Sequence, residues 1–450
     1  MHQFNEEIEF LAEEVLAYSL ERLKSDPPLD GPLTEEELYE KAGNTISKEG
    51  MGGHEALKLF TEVLAPACIS TDHPRYLAFI PSAPSEHASL FDLVVGSSAL
   101  YAGSWLEGAG AVYAENQALR WISDLAGLPG IAGGVFVQGG TIGNLSALVT
   151  ARAAARDKHP GKSRWVIAAS SEAHSSIESA AEVMDALMLT IPANNEGKIV
   201  GEDVVRVIRV YEKANPDHHV FAIVATAGTT NLGIVDDLAS VGRAAKELDR
   251  WYHVDGAYGL AALCVPSVRG LFEGIEMADS LIVDPHKWLF APFDACALIY
   301  REPDLAKKTH TQHASYLESL EEGDDWNPTD YAIGLTRRAR GLPFWFSLAA
   351  NGSNAYKIAI EKTIEVAREV AILIKHNPQL ELLFEPTLSI VAFKRIGWDK
   401  KDYDNWSKRL LEDQIGFVVP SQHDNENIIR FAIVNPWTTL GDISAILATL

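Results

Sequence analysis

Cysteine is scarce in this 450-residue chain. Only Cys68, Cys264 and Cys296 occur, an odd number at wide spacing with no Cys-x-x-Cys pair. That arithmetic argues against a disulfide framework and against a zinc site, and it points to a reducing compartment. Positive charge is also short: 38 Lys and Arg face 62 Asp and Glu, for a net charge of −24. Such a chain has no general attraction for nucleic-acid phosphates or anionic lipid. Any anion site must be built locally, from oriented backbone and a few cations. No apolar run reaches the ~20 residues that span a bilayer. The opening MHQFNEEIEFLAEE lacks the basic start of a secretory signal. A soluble, cytoplasmic protein is expected, with neither nucleic acid nor membrane as partner. What is present is a composition 47% hydrophobic and 22% charged, enough for a large core.

Apolar residues recur at helical spacing over residues 4–24, and Asp26-Pro27-Pro28 stops that helix. Thr34 and Glu37 form a capping-box pattern for a second helix. This arm, residues 1–72, is too thin to bury itself and is expected to pack on another subunit or on the main body. From residue 73 to 341 short apolar runs alternate with helical stretches. Strands are predicted at Gly134–Val137, Trp165–Ala169, Phe221–Ala225, Trp251–Val254, Ser280–Val283 and Cys296–Tyr300. Helices are predicted over Gly143–Lys158, Ser175–Leu187, Gly201–Asn215 and Leu238–Leu248. Such alternation implies an α/β fold with a mostly parallel sheet covered on both faces. Ligands of such sheets sit at the carboxyl ends of the strands. Residues 308–335 read as a polar, mobile loop. Beyond it, 342–450 read as a smaller α/β domain: a long helix Leu342–His376, a strand Leu388–Phe393, a helix near Tyr403–Gln414 and a strand at Ile428–Val434.

Five strand ends carry unusual polar residues. Lys287 follows a strand within Asp284-Pro285-His286-Lys287-Trp288. Taken singly a lysine is a surface residue, but its apolar flanks imply a partly buried amine. Burial is expected to depress its pKa from about 10.4 and expose a neutral nucleophile. Asp255, at the end of the Trp251 strand, reads either as a helix cap or as a partner for a pyridine nitrogen. Gly256 and Ala257 after it leave room for a flat ring. Gln138-Gly139-Gly140-Thr141-Ile142-Gly143 is an ordinary turn or a phosphate cradle at a helix N-terminus. It is neither GxGxxG nor a P-loop. His174 is a capped helix start or a ring-stacking residue. Thr226 ends a fifth strand among small side chains. A cradle, a histidine, a threonine, an acid and a lysine, in that order, make one cofactor site.

With these motifs in place the chain resembles the group II pyridoxal 5′-phosphate (PLP)-dependent amino acid decarboxylases, close to the aromatic-L-amino-acid and tyrosine decarboxylase type. The resemblance runs from His73-Pro74-Arg75-Tyr76 to Ile433-Val434-Asn435-Pro436, with its most specific part in His253-Val254-Asp255-Gly256-Ala257-Tyr258-Gly259 and Pro285-His286-Lys287-Trp288. It implies the aspartate-aminotransferase-like fold (PLP fold type I) and a homodimer with shared active sites. It also implies that Lys287 holds PLP as a Schiff base, Asp255 pairs with the pyridine nitrogen and His174 stacks on the ring. Ala257 would pack on the other face, with Thr226 beside the ring and Gly140, Thr141 and His286 on the phosphate. Asp284 is expected to turn from the phosphate or to bond His286. Phe79, Tyr101 and Trp105 match substrate-pocket segments, or else are core. Ala102-Gly103-Ser104-Trp105 departs from the Gly-Phe-Ser-Trp frequent among aromatic decarboxylases, which leaves the substrate open: an aromatic amino acid leads, with glutamate and diaminobutyrate behind it. Tyr331 matches the loop tyrosine that reprotonates the substrate carbon, with Tyr316 as rival. That assignment separates a decarboxylase from an aldehyde synthase. A nucleotide-binding regulatory protein using the Gly139–Gly143 turn is the reading from another class.

Overall fold

The fold is taken from a computed structural model that describes residues 2–313 and 325–450. Seven short apolar segments form its central sheet: β1 (Gly133–Val137), β2 (Arg164–Ser170), β3 (Leu187–Ile191), β4 (His218–Thr226), β5 (Trp251–Asp255), β6 (Ser280–Val283) and β7 (Cys296–Tyr300). Their order is β1-β7-β6-β5-β4-β2-β3. β6, β5, β4, β2 and β3 pair in parallel. β7 runs antiparallel to both neighbours, β1 and β6. The other six strands therefore share one direction, and their carboxyl ends meet at one edge.

Near-continuous burial along β4 and β5 shows why these runs are strands and not surface. Ile167, Ala169, Val224 and Trp251 pack on one face against Leu148, Ala151, Ile177 and Ala180 of α6 (Gly140–Lys158) and α7 (Ser175–Val183). Ala168, Ile223, Tyr252 and Val254 pack on the other, against Val204, Ile208 and Val241 of the helices Gly201–Ala214 and Leu238–Leu248. Alternate residues thus feed alternate layers, as a two-faced sheet requires.

A second, antiparallel sheet of four strands has β8 (Leu380–Leu382), β9 (Ile390–Arg395), β10 (Ser421–His423) and β11 (Glu426–Ala432), ordered β10-β11-β9-β8. Val370, Ile374, Tyr403, Trp406 and Ile443 from three helices cover it. Leu77 joins this small core, its amide bonded to Phe417 and its carbonyl to Ala432. Residues just after His73 thus lean on the small sheet and not only on the large one. The N-terminal helices α1 (Glu6–Lys24), α2 (Glu35–Ala42) and α3 (Gly53–Leu59) contain no buried residue. No helix among the described residues is long and apolar enough to cross a membrane.

Three sequence expectations need correction. The helix from Ser175 stops at Val183, because Asp185 turns the chain at φ 51° into β3, whose half-exposed edge hides its strand pattern. The span Leu342–His376 is two helices, broken at Gly352, whose φ of 74° suits glycine. The expected polar loop is shorter than 308–335: a helix runs through Pro303–His310, and Asn327, Thr329, Asp330 and Tyr331 are buried.

Candidate active site

The shared strand direction gathers the polar strand ends around one cavity of about 300 Å³. Gly140, Thr141, His174, Thr226, Asp255, Ala257, His286 and Lys287 all line it. The lysine and the acid, 32 positions apart in the chain, thus face the same space.

The cradle lies where β1 runs into α6. The first N–H groups of a helix have no intrahelical acceptor, and the dipole is positive there. Gly139 caps the helix in an extended conformation and Gly140 opens it. A Cβ at Gly140 would come to 3.2 Å from Ile282 and 3.3 Å from the Asp284 carboxylate, so a side chain there would crowd the cavity wall. His286, beside the cradle, is tied to the Ala295 backbone through Nδ1. Burial pulls the His286 pKa down, against the opposing pull of Asp284.

Lys287 behaves differently from expectation. Burial alone lowers a lysine pKa, but Asp284 Oδ2 lies 3.0 Å from the Lys287 Nζ and Asp255 adds a second negative charge. The carboxylates outweigh desolvation, so the ammonium form is favoured and the pKa rises. Asp284 responds in kind: burial would raise it, yet Lys287 and His286 hold it below the usual carboxylate range. Its Oδ2 is 3.7 Å from His286 Nε2. Asp284 is chiefly the counter-ion of Lys287, with His286 as a more distant neighbour.

Asp255 accepts from the Asn144 side chain at 2.9 Å and from the Ala257 amide at 3.2 Å. His174 caps α7, its Nδ1 2.9 Å from the Ser176 hydroxyl. The Thr226 hydroxyl is buried without a hydrogen-bond partner in the described protein, facing the cavity. Gly256 is small for a reason other than the one expected. A Cβ there would sit 2.0 Å from Leu260, so the residue makes room for packing beneath the strand end, while Ala257 is the one that faces the cavity.

The remaining predicted residues do not reach this cavity within one chain. Phe79 is 57% exposed at a φ of 52°. Tyr101 donates to the Leu335 carbonyl at 2.8 Å, and the Trp105 amide donates to Asn327 at 2.9 Å. Tyr331 is 3% exposed, stacked on Trp326 with ring centroids 4.0 Å apart. Burial raises its hydroxyl pKa. Its rival Tyr316 lies outside the described residues.

Sequence reading missed Asn144 and Ser176, which look like ordinary early-helix residues. It also missed Arg430 on β11, a 4%-exposed cation that donates to the Phe79 carbonyl at 2.7 Å and has no partner for Nε in the described protein. A lone arginine inside the strand pattern was the available signal.

An acid for a ring nitrogen, an amine for a carbonyl, an unpartnered hydroxyl and a helix N-terminus for a phosphate form a donor set that fits PLP. The whole chain superposes on the Oryza sativa TDC structure with PLP and tryptamine at a TM-score of 0.92 and 21% identity, covering 100% of this chain and 98% of that one. The fold is PLP fold type I. The model of the pyridoxal-dependent decarboxylase conserved domain matches residues 47–396, and the chain belongs to that family. It is a PLP-dependent carboxy-lyase. An aromatic-L-amino-acid decarboxylase of Bacillus atrophaeus is 28% identical over 454 residues, 97% of this chain and 93% of the relative. A 3,4-dihydroxyphenylacetaldehyde synthase of Aedes aegypti is 27% identical over 421 residues, 88% of this chain and 79% of the relative.

Proposed function

We propose that this enzyme decarboxylates an aromatic L-amino acid to the corresponding amine and carbon dioxide, as a homodimer whose partner completes each substrate pocket. The observation that carries the reading is the convergence of Lys287, Asp255 and His174 on one cavity. The aromatic preference is supported by the named relatives and by Tyr101 and Trp105 in the segment that resembles the substrate pocket.

Bound PLP supplies an electron sink for the pair left behind when the carboxylate departs. Lys287 is the amine that would hold it, kept beside the cavity by its ion pair with Asp284. Asp255 would present its carboxylate to the ring nitrogen, and His174 and Ala257 would flank the ring. Gly140, Thr141 and His286 would take the phosphate, with Thr226 beside the ring. A tyrosine then delivers a proton to the substrate carbon. Tyr331 is locked against Trp326, so we assign that step to Tyr316.

The dimer reading rests on apolar surface that one chain leaves in water. Phe4 is 75%, Phe10 60% and Ile46 83% exposed on the arm. Exposed large apolar side chains gathered on one arm support an interface there.

An aldehyde synthase is the second reading, favoured by the Aedes aegypti relative. One assay separates the two: incubate the protein and PLP with a panel of aromatic amino acids, glutamate and diaminobutyrate, and measure carbon dioxide, amine, aldehyde and hydrogen peroxide. Amine and carbon dioxide in equal amounts from aromatic substrates are expected. Aldehyde with peroxide would replace the first reading by the second, and turnover of glutamate alone would overturn the aromatic assignment.

A further inference from the structure

A line of hydrogen-bonded polar groups runs from the sheet interior into the cavity wall, and the reaction itself uses only its ends, Asp255 and His174. Trp251, His253 and Asp255 alternate along β5 and so point to one face of the sheet. Register pairs His253 with Ser280 on β6. The Trp251 indole donates to Ser280 Oγ at 2.8 Å, and Ser280 Oγ is 2.8 Å from His253 Nδ1. His253 Nε2 is 2.8 Å from Asn144 Oδ1. The Asn144 amide nitrogen reaches Asp255 Oδ2 and Ser176 Oγ, each at 2.9 Å. Ser176 Oγ is in turn 2.9 Å from His174 Nδ1. His253 and Ser280 are fully buried, and Asn144 is 1% exposed.

The direction of every bond in this chain can be deduced. An indole only donates, and an ionised carboxylate only accepts. The opposite flip of Asn144 would set its carbonyl oxygen against the Asp255 carboxylate, so its nitrogen must face Asp255. Both amide protons are then spent, on Asp255 and Ser176. Asn144 Oδ1 therefore accepts from His253 Nε2–H. Burial lowers the His253 pKa to about 4, so the ring is neutral and its Nδ1 has a lone pair. Ser280 accepts from Trp251 and donates to that lone pair. On the other branch the Ser176 hydroxyl accepts from Asn144 and donates to His174 Nδ1, which also accepts the Ser176 backbone N–H at 3.2 Å.

We propose that Asn144 is a positioning residue whose one amide group holds the Asp255 carboxylate, orients the Ser176 hydroxyl toward His174 Nδ1 and selects the Nε2-protonated tautomer of His253, whose bare Nδ1 meets the Ser280 hydroxyl. The two groups that would hold the cofactor ring, one at its nitrogen and one on its face, are thereby tied to each other. The inference rests on the cofactor reading of the cavity, but its first test does not require cofactor.

Nitrogen-15 NMR of histidine-labelled, PLP-free protein reads the tautomers directly, with His253→Asn and His174→Asn used only to assign resonances. The His253 ring is expected neutral with Nε2 protonated, and Nδ1 is expected bare in both rings. Asn144→Asp removes both donated bonds. It should leave His174 bare on Nδ1, because the Ser176 backbone N–H still reaches that atom, and it should weaken PLP binding, measured by titration of the protein, about 10- to 100-fold, the range for a lost hydrogen bond to a charged group. Ser280→Ala is the milder variant and touches neither cavity nor cofactor. It should leave His253 protonated on Nε2, because Asn144 Oδ1 still accepts there, and keep PLP affinity within about 3-fold of the unaltered protein. A His253 protonated on Nδ1 in either protein, or PLP affinity unmoved in Asn144→Asp, overturns the proposal. Absence of PLP binding to the unaltered protein would instead sink the cofactor reading and leave the tautomer result standing.

Discussion

The Lys287 cavity and the group of Phe79, Tyr101 and Trp105 belong to one chain but are completed differently. The predicted groups around the cavity come from strand ends of the same sheet, and three of them find partners inside the chain: Asp284 for Lys287, Asn144 for Asp255, Ser176 for His174. The substrate-segment residues stand apart from that cavity, and the arm that precedes them leaves its apolar face in water. On our reading, cofactor binding is thus built mainly into a single chain. Substrate selection, on our reading, needs a second one. The difference follows from chemistry. A cofactor must be held at fixed distances by rigid elements, and parallel strand ends provide them. A substrate must enter and leave, which an interface of segments allows.

The largest effect should come from inside the cavity. Lys287→Ala is expected to remove detectable turnover together with the visible absorption band of the bound cofactor. Retained decarboxylation in this variant would break the assignment of the amine. Asp284 loses its counter-ion in the variant and stays buried, so circular dichroism should change little while the melting temperature falls.

Next comes the proton donor, which lies on the substrate side of the comparison. Tyr316→Phe is expected to divert most product from amine to aldehyde, hydrogen peroxide and ammonia. Tyr331→Phe should leave the product amine and lower stability by about 1 kcal/mol or less, since only a hydroxyl at the rim of a packed core is lost. The reverse pattern, aldehyde from Tyr331→Phe alone, would return the role to the tyrosine that now stacks on Trp326.

A smaller and more selective effect is expected from the arm. Phe10→Asp places a charge on the exposed apolar face of α1. It should raise the dissociation constant of the dimer by about 10-fold or more, since burying a charge without a partner is costly. Light scattering at falling concentration should then show the 49.1 kDa chain and not twice that mass. The monomer should still bind PLP, by absorbance, while turnover falls. Loss of both together would mean that the cofactor side also depends on the partner.

What could be read beforehand divides along the same line. Strand ends were legible because an apolar run that stops at Asp255, Thr226 or Asp284-Pro285-His286-Lys287 changes character within one residue. The cavity lining followed from them once the strands were parallel. The sign of the Lys287 shift was not legible, because it depends on which way the Asp284 carboxylate turns. Asn144 was missed since its two donated bonds reach residues 32 and 111 positions away. β3 escaped notice because an edge strand is only partly covered, and the break at Gly352 was hidden by apolar spacing that continues across it. Where local pattern and burial coincide, sequence suffices; where a residue's role is set by a distant partner, it does not.

The finest test concerns a buried acid beneath the cavity floor. Asp236 accepts the amides of Thr226, at 2.7 Å, and Ile199, at 2.9 Å. Burial outweighs those bonds and raises its pKa to about 7. In the unfolded chain an aspartate titrates near 3.9. Between those values the folded state binds one proton more than the unfolded one, so stability falls as pH rises from about 4 to about 7 and levels off above. The ceiling on this cost is about 4 kcal/mol, from roughly three pKa units at 1.36 kcal/mol each. Asp236→Asn cannot ionise, so its melting temperature relative to the unaltered protein should improve between pH 5 and pH 8. Because Asp236, Thr226 and Ile199 lie in one chain, the same pH-dependent difference should persist in the Phe10→Asp background. If it vanishes when the dimer is weakened, the cavity floor is not the self-sufficient region that its strand-end partners imply.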